Sequence, residues 1–432
     1  MSPRPRVSFV IATHNRRDVL AHTLDHLADC GLDTADFETI VVDNASTDGT
    51  VDVADTMPNA QFLRLRRNLG SCAKAIGADR ASAPLLVFLD DDSWPRPGAI
   101  ERMIHHFERD PRLGAAGFTV SLPDGSEECS ALPHVFVGCG VGLRARALRS
   151  AGGLDPTFFM QAEEYDLAFR LMSAGWNVEV FSDLAVIHGK SAAGRDPERT
   201  TYYDIRNNLR VVGRHLPPPF RGVYQKDWLQ RYGWLAQASN QTAAYRRGAV
   251  SGRIRASLEQ GRFARRRLSA ANLEKVFCWS FIARRMTWLR EQGVLTVLLA
   301  DLGKNVYAFF RGAREAGLRV AAIADDAFAR PGRAYRDIPV LTVEEALRLT
   351  ADAIVVSNTS YAHAERRAAD LASATRRVVY HWFPRPAATS EGEVFSAADA
   401  PLDGLTGSAA VRATRPNRPW APRPACTGVH DA

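Results

Sequence analysis

No apolar run in this 432-residue chain is long enough to cross a bilayer. The opening segment, MSPRPRVSFVIATHNRR, lacks the extended apolar stretch of a secretory signal. Cysteine is sparse: Cys30, Cys72, Cys129, Cys139, Cys278 and Cys426 are scattered, and no C-x-x-C pair occurs. That spacing argues against a zinc site or a disulfide framework and fits a reducing cytoplasm. Helix-turn-helix, finger and aromatic RNA-binding signatures are missing, so nucleic acid is not an expected partner. Internal repeats are missing too.

What is present is ordinary globular composition, 46% hydrophobic and 24% charged, in a chain long enough for two or three domains. The net charge of +7 is unevenly spread. Arginine crowds the stretch from Arg246 to Arg290, which reads either as a solvated helical face or as a patch for an anionic membrane surface or phosphorylated lipid.

Residues 1 to about 125 alternate strand and helix patterns. VSFVIAT (7–13), ETIVV (38–42), AQFLRL (60–65) and LLVFL (85–89) read as strands. Helical patterns run from Asn15 to Cys30, Thr50 to Met57, Ser71 to Ala81 and Pro97 to Asp110, with Pro97 as a first helical residue. This order predicts an α/β fold with a mostly parallel sheet. Further strands are expected at 135–143, in VEVF and in AVIH, with a helix from Glu163 to Ala174. From Tyr202 to Arg290 the pattern is helical, broken at Leu216 and Pro217 to Pro219. A second α/β pattern begins near Val294, with a strand, glycine turn, helix and strand ending in acids over 294–328 and further strands in 351–358 and 376–382. The tail from Pro386 is rich in Ala, Pro, Thr and Arg, a composition expected to be disordered.

Three aspartates, Asp90, Asp91 and Asp92, end the apolar run at 85–89. Carboxyl ends of parallel strands are where open α/β sheets bind ligands. Three adjacent like charges there call for a cation or substrate donors. A divalent metal completed by phosphate oxygens is one reading; a solvated turn capping the next helix is the other. Thr13-His14-Asn15, Asp43 to Thr50 and Arg67 to Gly70 fall at the ends of the neighbouring strands. Asp48 and Thr50 have the pattern of a turn and a helix start. Asp43 is suited to accept from the N–H of a flat heterocycle, or to close an Asx-turn.

VSFVIATHNRRDVL, IVVDNASTDGT, RNLGSCAKAIGADRA and LLVFLDDDSWPRPGAI, in that order, resemble the nucleotide-sugar half of family-two glycosyltransferases. GGLDPTFFMQAEEYDLAFRL (152–171) resembles that family's acceptor-side acidic motif, and DLAVIHGKS (183–191) its closing histidine motif. The likeness runs from residue 7 to about 215 and is greatest to the rhamnosyl- and galactofuranosyl-transferase branch. It implies a glycosyltransferase A type sheet in residues 1–215, followed by a basic helical arm at 216–290. A small Rossmann-like α/β domain at 291–385 and a disordered tail at 386–432 complete the expected organisation.

The resemblance implies a role for each matching residue. Thr13 and Asn15 would line the nucleotide pocket, Asp43 would take the nucleobase N–H, and Lys74 would approach the base or phosphates. Asp90 and Asp91 would face the ribose and sugar. Asp92 would hold a Mn²⁺ or Mg²⁺ ion with His188 as a further ligand. Glu163 and Glu164 are the candidate bases for an inverting displacement, Glu164 first because it matches the family's second acid, one methylene longer here. A helix N-terminus should favour their ionised forms; the alternative is that they only stabilise that helix end. Asp166 reads as structural or acceptor-facing, and Tyr202, Tyr203 and Arg206 as an acceptor border or as packing.

The expected partners are a nucleotide-sugar donor and a glycan or lipid-linked acceptor, in the cytoplasm, with peripheral contact to an anionic inner membrane face. Two alternatives stand beside this one. The first is a nucleotide- or glycan-binding protein without turnover. The second is an NAD-dependent sugar-modifying enzyme acting through the second α/β unit. Its turn, Ala300-Asp301-Leu302-Gly303-Lys304-Asn305, lacks G-x-G-x-x-G, although Asp325 and Asp326 sit where a ribose-binding acid would.

Overall fold

The structure is a computed structural model describing residues 4–56, 60–191, 196–385 and 410–411. The tail expected to be disordered lies outside these residues, apart from Ala410–Val411.

The first unit starts with β1 (Val7–Thr13), α1 (Arg17–Ala28), β2 (Phe37–Asp43), β3 (Ala60–Arg64), α2 (Lys74–Arg80), β4 (Leu85–Asp90), β5 (Ser93–Pro95) and α3 (Ala99–Arg109). It continues with β6 (Leu113–Ser121), β7 (Glu127–Glu128), β8 (Gly140–Arg144), α4 (Ala145–Ala151), α5 (Glu163–Ser173) and β9 (Asn177–His188). The sheet order is β3-β2-β1-β4-β8-β6-β9-β5, with β7 beside β6. Strands β3, β2, β1 and β4 are parallel, and β8 pairs antiparallel to β4.

Alternation along β1 divides the core. Phe9 and Ile11 pack with Leu20, Leu24 and Leu27 of α1 and with Met103 and Phe107 of α3. Val10 faces the other way, into the layer of Leu167 and Leu171 of α5. Each such side chain contributes about 1.5–3 kcal/mol on burial, which makes the sheet a rigid platform for the loops at its edge.

A helical arm follows: α6 (Pro197–His215), α7 (Phe220–Ala238), α8 (Thr242–Glu259), α9 (Ala270–Phe277) and α10 (Trp279–Glu291). Helices α6 and α8 lie close because small residues line the contact. A Cβ at Gly248 would fall 2.4 Å from Tyr202 O, and one at Gly213 would fall 2.6 Å from Ala256 Cβ.

The second unit contains β10 (Thr296–Ala300), α11 (Val306–Glu315), β11 (Arg319–Ala324), β12 (Ala334–Tyr335), β13 (Ile338–Leu341), α12 (Val343–Leu347), β14 (Ala353–Val356), α13 (Tyr361–Ala374), β15 (Val378–Tyr380) and β16 (Ala410–Val411). Its sheet order is β12-β13-β11-β10-β14-β15-β16, and the five strands from β13 to β15 are parallel. The α/β class expected from the alternating pattern is met, as are the helical arm and the smaller second sheet.

Several boundaries differ from the sequence reading. Helix α3 begins at Ala99, not Pro97, because Gly98 adopts φ 76° and interrupts the helical path. Residues 135–139 are not strand; only Gly140–Arg144 pairs, with β4 and β6. VEVF and AVIH belong to one strand, β9, whose pairing with β6 shifts register between Phe118 and Thr119. Strand β6 escaped the sequence reading, and the first turn of the expected 71–81 helix is 3₁₀.

Candidate active site

Register brings the acidic edge together. In the parallel pairings Thr13 lies opposite Asp43, and Ala12 opposite Asp90. In the antiparallel pair β5–β9, Ser93 lies opposite His188, which carries the histidine of the far motif to the end of the triple aspartate. Leu89 opposite Gly140 sets Cys139 beside Asp90.

Each aspartate has a different task. Asp90 accepts from Lys74 Nζ at 2.6 Å, and its side chain is 37% exposed. Asp91 is buried, accepting from Thr13 Oγ1 at 2.8 Å and from Arg16. Burial, with Asp92 and Asp90 nearby and against the pull of Arg16, pushes Asp91 up to about 6. Asp92 Oδ2 accepts from Arg16 at 3.0 Å and from the Ser191 amide at 2.9 Å, and Oδ1 lies 3.3 Å from His188 Nε2. Burial disfavours its charge, but the His188 hydrogen bond and the charges of His188 and Arg16 hold Asp92 well below the usual carboxylate range.

His188 is oriented from behind. Its Nδ1 lies 3.0 Å from Glu128 Oε2, so the ring turns Nε2 toward Asp92. A carboxylate behind an imidazole is the usual support for a metal-binding histidine. Ligand atoms of Asp90, Cys139 and His188 lie within 4.8 Å of one another. This set of carboxylate, imidazole and thiol donors fits a divalent cation of borderline character.

The remaining candidates have identifiable partners. Asp43 Oδ1 accepts from the Ser46 amide three residues on, one residue past the Asx-turn position, while the buried Oδ2 has no hydrogen-bond partner. The guanidinium of Arg64 stands 3.8 Å from that oxygen. Asn15, at φ 52°, is exposed and accepts from the Thr47 amide at 2.8 Å. The buried Lys74 ammonium is bound to Asp90 and to Gly138 O at 3.0 Å. Asp48 accepts from the Thr50 amide, as a turn residue does.

Glu163 and Glu164 open α5 after a contorted loop in which Phe159, Gln161 and Ala162 have φ of 70°, 67° and 61°. Such positive φ values in non-glycine residues persist only when neighbours enforce them. The enforcing group is Asn207 of α6, whose Nδ2 lies 3.0, 2.7 and 2.8 Å from the carbonyls of Phe158, Met160 and Gln161. Gly70 is needed beneath the loop, since a Cβ there would lie 2.1 Å from Phe159 O. Asp166 is buried between Arg170, Arg214 and His215, an ion-pair knot joining α5 to α6.

The two glutamates face different surroundings. Glu163 Oε1 accepts from Ser71 Oγ, and Oε2 is buried with no hydrogen-bond partner. Lys74 and Asp90 act on its charge, so it borders the aspartate edge. Glu164 is half-buried, and Lys304 and Asp204 act on its charge. Burial, then repulsion from Glu163, pushes Glu164 up to about 8. The expectation that the helix N-terminus keeps both acids readily ionised is therefore reversed: desolvation and like charge outweigh the dipole.

Arg16, Cys139, Glu128, Ser71, Asn207 and Lys304 were not identified from sequence. Arg16 carried a signal, a cation directly after the first polar loop and able to answer the acidic run. The others come together only through pairings distant in sequence.

Residues 8–155 match the family model described as glycosyl transferase family 2. The N-acetylglucosaminyl-diphospho-decaprenol L-rhamnosyltransferase of Mycobacterium tuberculosis is 29% identical over 212 residues, covering 37% of this chain and 68% of that protein. Validoxylamine A glucosyltransferase of Streptomyces hygroscopicus subsp. jinggangensis is 36% identical over 105 residues, 23% of this chain and 25% of the relative. Among solved structures, the mannosyltransferase PcManGT from Pyrobaculum calidifontis, in complex with GDP-Man and Mn²⁺, has a TM-score of 0.43 and 19% identity. That comparison covers 60% of this chain and 88% of the other. The matched segment carries the Asp43 loop and the triple aspartate, and on these grounds the chain contains a glycosyltransferase family 2 domain.

Proposed function

We propose that this protein is an inverting, divalent-cation-dependent glycosyltransferase. It moves a sugar from a nucleoside-diphosphate donor to a hydroxyl of a glycan or lipid-linked acceptor. The observation that carries this reading is one sheet edge holding Asp43 Oδ2, which has no hydrogen-bond partner, the Asp92–His188 pair and the α5 glutamates. A binding protein without turnover has no need of two strained-loop glutamates held half-buried beside that edge.

Asp43 Oδ2 takes a nucleobase N–H, within the pocket that Thr13 and Asn15 help to shape. Asp90, positioned by Lys74, faces ribose and sugar, and Asp91 braces Arg16 and Thr13. Asp92 and His188 would hold Mn²⁺ or Mg²⁺, with Cys139 and Asp90 adjacent. The cation would offset charge gathering on the leaving diphosphate. As the acceptor oxygen bonds to C1, the C1–O bond to the diphosphate breaks and its electron pair leaves with the phosphate. The acceptor proton passes to a carboxylate. Both α5 glutamates are half-buried and raised, but Glu163 is tied to Ser71, whereas Glu164 is pushed up to about 8, near the range where a base is most effective. Glu164 is therefore assigned as the base and Glu163 as a neighbour that raises its proton affinity.

Peripheral contact with an anionic membrane at the cytoplasmic face belongs to this reading. No described helix is long and apolar enough to cross a membrane. Helix α8 supports surface contact: Val250, Ile254 and Leu258, spaced by four, are 59%, 56% and 77% exposed. Exposed Arg246, Arg247, Arg253 and Arg255 accompany that stripe, while the only acid of the helix, Glu259, turns inward to Arg210 and Arg214. Apolar residues among cations suit an interface of acidic lipids. Flotation with phosphatidylglycerol vesicles should recover the protein, and Val250→Ser/Ile254→Ser/Leu258→Ser should not float.

Metal-dependent binding and slow hydrolysis across a panel of UDP-, GDP- and dTDP-sugars test the central reading. At least one donor is expected to bind more tightly with Mn²⁺. A panel bound by nothing, with or without the ion, overturns it.

A further inference from the structure

The carboxyl edge of the second parallel sheet, where such sheets keep their ligands, is pressed against the helical arm. Trp228 Nε1 donates to Lys304 O at 2.9 Å, and Arg231 Nε to Leu302 O at 3.0 Å. Asn305 accepts from Tyr224 OH at 2.7 Å and donates to Phe277 O at 2.8 Å. A turn held at three residues aims the side chain of Lys304 in one direction. It points to where α5 of the first unit meets α7 of the arm, with its ammonium 4.4 Å from the ring centre of Tyr165 and 5.6 and 5.9 Å from those of Trp228 and Tyr232.

Tyr165 directly follows Glu164. The groups facing Glu164 are Glu163 and Tyr165 of its own helix, Asp204 of α6, Tyr232 of α7, and Lys304, while Arg231 of α7 acts on Asp204 and Lys304. Among the described residues, no carboxylate lies within ion-pair contact of the Lys304 ammonium. Lysine is seldom buried unless a neighbouring charge or a function holds it, and Lys304 is 4% exposed. Burial lowers its proton affinity to about 8, despite the pull of Asp204 and Glu164, so the cluster titrates near neutrality.

We propose that Lys304, supplied by the second α/β unit, is a positioning residue of the transfer site, its charge keeping Glu164 able to take the acceptor proton. The second unit is then a working part of the transferase. This inference rests on the reading of Glu164 as base. Without the ammonium, Arg231 and Lys74 still act on Asp204 and Glu163, but the repulsion on Glu164 is opposed less, and Glu164 retains its proton to higher pH.

The test is the pH profile of donor turnover, with water as acceptor, for wild type, Lys304→Met, Lys304→Arg and Asp204→Asn. Lys304→Met should move the acidic limb upward by about one unit and lower turnover about tenfold at pH 7. Donor affinity by calorimetry should not change, and Lys304→Arg should restore the limb. Asp204→Asn, which removes a neighbouring negative charge, should move the limb downward; this arm stands even where Lys304→Met does not fold. Limbs that coincide in wild type and Asp204→Asn, or in wild type and a folded Lys304→Met, overturn the role of Lys304 and leave the transferase reading standing. A wild type that turns over no donor overturns both.

Discussion

Both parallel sheets end strands in acids, and the two edges have opposite fates. At the first edge, Asp43 Oδ2 and Glu163 Oε2 are buried without hydrogen-bond partners, and Asp90 is partly open. At the second, Asp325 accepts from the amides of Leu302, Ala327 and Phe328, and Asp326 accepts from the Val343 amide. A carboxylate whose lone pairs meet its own backbone has little left for a ribose. A Cβ at Gly303 would already lie 3.1 Å from Ser357 O, so that turn has little room for a pyrophosphate. The same topology thus keeps one edge for ligand and uses the other for docking. The place expected for a ribose acid in the second unit proves to be a backbone anchor.

The largest test of this contrast is chemical. Glu164→Gln keeps size and hydrogen bonding but cannot accept a proton. Donor turnover should fall about 100- to 10,000-fold, with donor affinity by calorimetry unchanged. Near-normal turnover would remove Glu164 from the role of base and shift attention to Glu163.

A second test asks whether the open edge is open for a nucleotide. Asp43→Asn replaces the unpartnered oxygen by an amide that accepts less strongly or donates. Binding of the accepted nucleotide should weaken about tenfold, the worth of one charge-assisted hydrogen bond, with little change in thermal stability. An unaltered dissociation constant would mean that the orphaned oxygen has another purpose.

The loop held by Asn207 offers a milder probe. Asn207→Ala removes the donor that fixes the carbonyls of Phe158, Met160 and Gln161. The positive-φ residues then relax, and the start of α5 loses its fixed position. A destabilisation of about 1–3 kcal/mol is expected, with turnover reduced more than donor binding. Equal loss in both would place the loop at the donor rather than the acceptor.

How far the sequence reached follows from what a sequence encodes locally. The β1, β2 and β4 strands, the Asp43 loop, the triple aspartate and the α5 glutamates were legible because each lies within one short pattern. The proximity of His188 to Asp92 was available only through the motif resemblance. Glu128 behind His188 was not, because it depends on the antiparallel pairing of β7 with β6. Lys304 was hidden for a simpler reason: it enters the site from another sheet. Arginines 210 and 214 fall in a stretch read from sequence only as helical, yet they close ion pairs with Asp155, Asp166 and Glu259 inside the protein. Counting charge along a sequence does not tell a solvated face from a buried network.

The smallest effect on chemistry should come from the closed edge. Asp325→Asn is expected to leave donor binding near wild type, because the donor-facing residues lie at the other sheet. Its effect is on stability. Burial, and then repulsion from Asp301, push Asp325 up to about 6 in the folded protein. Unfolded, an aspartate titrates near about 4. Between those values the folded state binds more protons, so this residue makes stability fall as pH rises from about 4 to about 6. Asn does not titrate, and the variant should lose that slope while giving up one or two of the backbone hydrogen bonds. Denaturant midpoints measured across the window should therefore converge toward its upper end. A variant that instead weakened donor binding would show that the two edges are not separate in function, and the contrast between them would fail.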